Sequence, residues 1–161
     1  MPQQDAWFSR RNAAWSRLMQ VHASCAARDG MGVLLLGAPG SGKSDLTLRL
    51  LDRGFLLVAD DRVEIADGMA WAPSQIAGLL EVRGLGILRM PYLPRARLAL
   101  AVRLGAPVER LPAPARYAGL PMVTIDPTSA SAPQRVALAL DCALGLITQT
   151  AGAFDAGEAA Q

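Results

Sequence analysis

The stretch Gly37-Ala38-Pro39-Gly40-Ser41-Gly42-Lys43-Ser44 constrains this chain more than any other. It follows the apolar run Val33-Leu34-Leu35-Leu36, which reads as a buried strand, and precedes Asp45-Leu46-Thr47-Leu48-Arg49-Leu50-Leu51, which reads as an amphipathic helix. Strand, glycine-rich loop and helix in that order match G-x-x-x-x-G-K-[ST], the P-loop or Walker A pattern. In it the glycines let backbone N–H groups curl around phosphate oxygens and the lysine reaches the β and γ phosphates. Ser44 at the helix start is placed to ligate a Mg²⁺ bridging two phosphates, and the helix N-terminus adds positive dipole. The pattern predicts an α/β fold with a nucleotide-binding loop formed by Gly37 to Ser44.

At 161 residues the chain is long enough for one sizeable core. About half of it (52%) is hydrophobic, yet no run approaches the ~18 apolar residues of a membrane span. The start lacks the apolar centre of a secretory signal, which makes a cytoplasmic location the expectation. Cys25 and Cys142 stand far apart, outside any metal-ligand spacing, and read as reduced thiols. With a net charge of +2 and scattered basic residues, nothing points to a nucleic-acid groove.

Residues 1–149 read as one domain with 1–16 loosely attached as a short helix around Trp7, Phe8 and Trp15, and 150–161 read as a disordered tail. Period-two alternation predicts a strand over 18–28, and Arg28-Asp29-Gly30 supplies the turn into the next strand, which places His22 beside the loop. Phe55 to Ala59 is a second buried strand, delivering Asp60-Asp61 at its carboxyl end, where open α/β sheets gather their chemistry. Arg62–Ile65 and Met69–Trp71 flank Asp67-Gly68 as a hairpin, so strands of mixed direction are expected. Gly54 is the expected left-handed residue just past the first helix, 105–121 a proline-rich surface excursion, and 132–146 a helix with Ser131 as N-cap. If 80–88 is extended, Glu81 and Arg83 share one side of a strand, and Gly84-Leu85-Gly86 argues for a close backbone approach.

The acidic pair admits three readings: a general base within the site, a Mg²⁺ shell alone, or a solvated turn. His22, the single histidine, is by itself more often structural than catalytic.

Three ordered motifs carry a resemblance: Gly37-x-x-x-x-Gly42-Lys43-Ser44, Leu57-Val58-Ala59-Asp60-Asp61-Arg62-Val63, and Leu80-Glu81-Val82-Arg83-Gly84-Leu85-Gly86-Ile87. Together they resemble the catalytic domain of HPr kinase/phosphorylase, in the short form of alphaproteobacteria. The resemblance implies a mixed sheet related to the nucleotide-binding core of phosphoenolpyruvate carboxykinase. It also implies ATP- and Mg²⁺-dependent phosphorylation of a serine on the phosphocarrier HPr, with phosphate-dependent reversal giving pyrophosphate, by a homo-oligomer. Lys43 matches the phosphate-binding lysine, Ser44 and Glu81 match Mg²⁺ ligands with Asp60 beside them, and Asp61 matches the proton acceptor. His22 stands where the family has a histidine, and Arg83 is placed to contact phosphate or HPr. The family's later P-G-R segment has no clean counterpart, Arg135 being a displaced candidate. The alternatives are a nucleotide hydrolase without a protein substrate and a non-catalytic nucleotide or phosphate sensor.

Overall fold

The structure, a computed structural model, describes residues 17–155, so the helix expected around Trp7, Phe8 and Trp15 lies outside the described residues. In chain order the elements are β1 (Met19–Val21), β2 (Ser24–Arg28), β3 (Met31–Leu36), α1 (Lys43–Leu51), β4 (Leu56–Ala59), β5 (Val63–Ala66) and β6 (Met69–Trp71). After a 3₁₀ turn at Ser74–Ile76 come β7 (Leu79–Val82), β8 (Gly86–Arg89), β9 (Ala96–Leu104), β10 (Ala115–Tyr117), β11 (Leu120–Ile125) and α2 (Ala132–Ala143). The described residues form a mixed α/β fold: a sheet of nine strands, a separate β7–β8 ribbon, and two helices.

The long strand β9 is the axis of the sheet. Along one side it pairs in parallel with β3, beyond which lie β2 and β4. Its other side is shared, antiparallel β6 taking Ala96 and Arg97 and parallel β11 taking Ala101 to Leu104. The registers Leu36↔Arg103 and Ile125↔Leu104 bring the carboxyl ends of β3, β9 and β11 level, so the loops that follow them share one edge.

Side-chain alternation divides the core in two. Val33 and Leu35 face Leu46 and Leu50 of α1 and Val136 and Leu140 of α2. Leu34, between them, joins Cys25, Val63, Ile65 and Leu98 on the opposite face. Val63 and Ile65 of β5 and Ala70 of β6 pack into that second cluster. The two hairpin turns expected at Asp29-Gly30 and Asp67-Gly68 both form, with φ of 52° and 78° in the first and 53° and 75° in the second. Positive φ at both central residues is the type I′ geometry whose twist suits a hairpin.

Several expectations are corrected. The single strand over 18–28 is two: β1 pairs with β5, then the chain breaks at His22-Ala23, and β2 pairs with β3 and β4. The break is fixed by the Ala23 N–H, which donates to the Asp61 carbonyl at 3.2 Å instead of continuing a ladder. Helix α1 is capped by Asp52, so left-handed Gly54 (φ 82°) falls one position later than expected. Arg83 lies past the end of β7, in the turn to β8, and so does not share a strand side with Glu81. Its neighbours Gly84 and Gly86 have open space where a Cβ would sit; they serve the turn, with φ of 88° and 118°, and not a close approach. Part of the proline-rich excursion is sheet, because Ala118-Gly119 turns β10 back onto β11 with Pro121 opposite Arg116. Within the stretch expected to be tail, Phe154 is buried, its N–H and carbonyl bracketed by the Gln149 amide at 3.0 and 2.9 Å. Helix α2 ends at Ala143, and the Ser131 side chain at its start caps no backbone N–H of the first turn. Among the described residues no helix is long and apolar enough to cross a membrane.

Candidate active site

The glycine-rich loop leaves β3 and enters α1 as the sequence requires, and each turn in it has a local cause. A Cβ on Gly37 would meet Ser41 Oγ at 2.3 Å, so a larger residue there would have to displace the Ser41 hydroxyl. Gly40 and Gly42 have φ of 78° and 101°, the left-handed region that costs glycine least. The Ser41 N–H donates to the Ala38 carbonyl at 3.0 Å and closes the loop. Lys43 is buried and folds back, Nζ donating to the carbonyls of Gly37 at 2.7 Å and Ala38 at 3.0 Å. Two of the three ammonium donors thus hold the loop in shape, and one is left. Helix bonding begins with the Leu46 N–H to the Gly42 carbonyl, so the amides of Lys43, Ser44 and Asp45 are free first-turn donors. Ser41 Oγ is buried with no hydrogen-bond partner, an orphan at the heart of the loop.

Beside the loop, the end of β4 presents its two aspartates differently. Asp60 is buried, and its Oδ1 accepts from Ser24 Oγ and Ser44 Oγ, both at 2.8 Å. Its Oδ2 takes a longer contact, 3.4 Å, from the Glu81 N–H. One carboxylate thereby ties together β2, α1, β4 and β7. Asp61 points outward, its side chain 63% exposed, with Oδ1 3.4 Å from His22 Nδ1. Its φ is 71°, and the Arg62 N–H donates across it to the Asp60 carbonyl at 2.8 Å. A bond from residue i+2 to i over a central residue with positive φ is the strained form of γ-turn, uncommon outside functional sites.

These residues line one cleft of about 660 Å³, whose walls are the loop, His22, Asp61, Glu81 and Arg83. Of the residues picked from sequence, His22, Pro39, Gly40, Gly42, Lys43, Ser44, Asp61, Glu81 and Arg83 are brought together there. Gly37, Ala38 and Ser41 support it from behind, and Asp60 lies beneath it. Arg135 is not among them; it lines a different cleft with Asp126 and Ser129. Sequence reasoning missed Ser24, which holds Asp60, although its place two residues after His22 in a predicted strand was a signal. It also missed Arg49, whose guanidinium donates to the carbonyls of Pro127 at 2.7 Å and Ser129 at 2.8 Å and pins the β11–α2 loop against the helix.

Among the described residues no three His, Cys, Asp or Glu side chains form an all-protein metal cage. The donors beside the loop, a hydroxyl and carboxylates, are hard oxygens of the kind Mg²⁺ accepts when phosphates and water complete its shell. The free first-turn amides suit an anion.

Comparison with known proteins agrees in place as well as in kind. The family model described as HPr Serine kinase C-terminal domain matches residues 13–93, from before β1 to just before β9. HPr kinase/phosphorylase of Geobacillus thermodenitrificans is 42% identical over 96 residues, covering 52% of this chain and 31% of that protein. The protein of the same name from Bordetella petrii is 53% identical over 64 residues, covering 37% of this chain and 21% of its own. The chain therefore spans about a third or less of the length of the relatives it matches. Among solved structures, the Hpr(Ser) kinase/phosphatase from Coxiella burnetii superposes with a TM-score of 0.59 at 25% identity, over 73% of this chain and 86% of that one. The three motifs of the loop, the β4 end and the β7–β8 ribbon all fall inside the matched segment, and the chain belongs to the HPr Serine kinase C-terminal domain family.

Proposed function

We propose that the cleft transfers the terminal phosphoryl group of ATP to a serine of the phosphocarrier HPr, with phosphate-dependent reversal giving pyrophosphate. The observation that carries this reading is the division of labour at the end of β4. Asp60 is buried and bonded to Ser44, whereas Asp61 stands exposed at the mouth beside His22. A water-activating hydrolase needs an enclosed site. Here the candidate base is open to a protein surface, which favours a serine side chain as the acceptor over water.

Gly37 to Ser44 form the P-loop of this reading, with first-turn amides and the remaining Lys43 donor meeting the phosphates. Ser44 and Glu81, with Asp60 behind them, would hold Mg²⁺, which when bound neutralises phosphate charge. Asp61 accepts the proton of the serine hydroxyl as its oxygen bonds to the phosphorus and the bond to the departing diphosphate breaks; in reverse it returns that proton. His22 steadies the Asp61 carboxylate, and Arg83 from the β7–β8 turn meets the transferred group or HPr.

The test is a phosphotransfer assay with HPr and Mg²⁺, comparing ATP and pyrophosphate as donors. Wild type yields phosphoserine, and Asp61→Asn loses transfer by at least about a hundredfold while ATP binding stays within a few-fold. Wild-type transfer by Asp61→Asn would overturn the base assignment, and ATP turnover indifferent to HPr would make the chain a hydrolase.

A further inference from the structure

Where β1 gives way to β2, three consecutive residues grip the same pair of aspartates. His22 Nδ1 lies 3.4 Å from Asp61 Oδ1, the Ala23 N–H donates to the Asp61 carbonyl at 3.2 Å, and Ser24 Oγ donates to Asp60 Oδ1 at 2.8 Å. Ser24 Oγ also accepts a longer bond, 3.5 Å, from the Asp61 N–H. Ser24 thus meets the carboxylate of one aspartate and the backbone of the other.

Its own position is fixed. Ser24 is buried at the start of β2, a strand flanked by β3 and β4, and it stands opposite Leu35, two residues before Gly37. A hydroxyl on a strand paired along both edges has little freedom. Asp60 and Asp61, by contrast, follow the end of β4, and Asp61 sits at φ of 71°. Such a turn keeps its shape only where its surroundings over-determine it.

The consequence reaches Ser44. Asp60 Oδ1 accepts from the Ser24 and Ser44 hydroxyls together, each at 2.8 Å. A serine hydroxyl has one hydrogen and two lone pairs, so Ser44, having given its hydrogen to Asp60, keeps its lone pairs for the cleft it lines. Without Ser24 the carboxylate loses one of its two short bonds and can rotate, and the Ser44 hydroxyl turns with it.

We propose that Ser24 is a positioning residue of this site: by holding the Asp60 carboxylate it fixes the direction in which the Ser44 oxygen faces a phosphate-bound Mg²⁺, and by its bond to the Asp61 N–H it keeps the candidate base in register with that point. The proposal rests on the phosphotransfer reading above and adds the residue through which the metal side and the base side are held to each other.

Titration calorimetry of the full chain with ATP, in Mg²⁺ and in EDTA, tests it. Wild type binds ATP more tightly with Mg²⁺. Ser24→Ala narrows that gap by about tenfold and leaves metal-free binding within about twofold, because the loop amides and Lys43 are untouched. In a Ser44→Ala background Ser24→Ala narrows the gap no further, since the two residues act through one contact. With HPr as acceptor at saturating Mg²⁺ and ATP, Ser24→Ala lowers kcat by about tenfold and moves KM for HPr by less than about twofold. An unchanged gap in Ser24→Ala, equal weakening with and without Mg²⁺, or losses that add in the double variant would each overturn the positioning role and leave the phosphotransfer reading standing. If wild type binds no ATP, that reading fails and the positioning role falls with it.

Discussion

At the end of β11, Asp126 turns back on its own loop: its Oδ1 accepts from the Thr128 N–H at 2.9 Å and from Thr128 Oγ1 at 2.7 Å. At the end of β4, Asp60 reaches instead to Ser24, Ser44 and Glu81, on three other elements, while the Asp61 carboxylate faces the imidazole of His22 and its backbone bonds to Ser24 and Ala23. Both ends sit at the carboxyl edge of one sheet, yet only one offers a carboxylate to a cleft wall with no bond from its own loop. The difference lies in the backbone. After β11 the chain makes an Asx-type turn that consumes the side chain. After β4 the Arg62 N–H is satisfied by the Asp60 carbonyl, which leaves both side chains free to project. A strand-end aspartate is available for chemistry only where the following turn closes without it.

Removing Asp60 should break this arrangement most severely. Asp60→Ala strands the Ser24 hydroxyl, which is 1% exposed, and frees Ser44 at the mouth of α1. A buried donor without its partner costs roughly 1–3 kcal/mol, and with two hydroxyls and a charged acceptor lost we expect about 3 kcal/mol in urea unfolding. Asp60→Asn keeps an oxygen for both hydroxyls and should lose less than half as much. Equal unfolding midpoints for Asp60→Ala and wild type would show that the buried carboxylate holds nothing together.

The neighbouring residue should respond with the opposite sign. Asp61 occupies φ of 71° at the centre of a γ-turn, where glycine is at ease and alanine is not. Asp61→Gly should therefore raise stability by up to about 1 kcal/mol while abolishing transfer, and Asp61→Ala should lower it by about the same amount. The same urea titration reads both. If Gly and Ala variants are equally stable, the strain is not there, and the turn does not explain why Asp61 stands clear.

Much of this was legible in advance, for reasons that differ by feature. The glycine-rich loop and the turns at Asp29-Gly30 and Asp67-Gly68 are local, each dictated by residues a few positions apart. The β4 end was legible because a short apolar run followed by two acids has few readings. The β10–β11 hairpin was not, since its turn is Ala118-Gly119, with alanine at a φ of 49° that no alanine signals. The break at His22-Ala23 and the roles of Ser24 and Arg49 were also hidden, because each depends on a partner at least 36 residues away. Phe154 escaped for a different reason, since its partner Gln149 is only five residues back. A Gly/Ala/acidic stretch reads as tail until the Gln149 amide is seen to bracket it.

The smallest effect is at the other strand end, and it sharpens the comparison through pH. The side-chain bond from Thr128, and after it the Thr128 backbone N–H, hold the Asp126 carboxyl below the ordinary carboxylate range. A depressed folded pKa means that below about pH 3.9 the unfolded chain binds the proton first, so stability rises with pH across that window. The contribution is present in full above the ordinary value and is lost as pH falls through the folded one. Asp126→Asn keeps the acceptor oxygen but has no proton to gain. Its melting temperature should lie slightly below that of wild type at neutral pH, and the gap should close on acidification below about pH 4. A gap that stays constant would mean that the Asp126 charge is not held by its own loop. The contrast with Asp61, whose partners all lie outside its turn, would then need another cause.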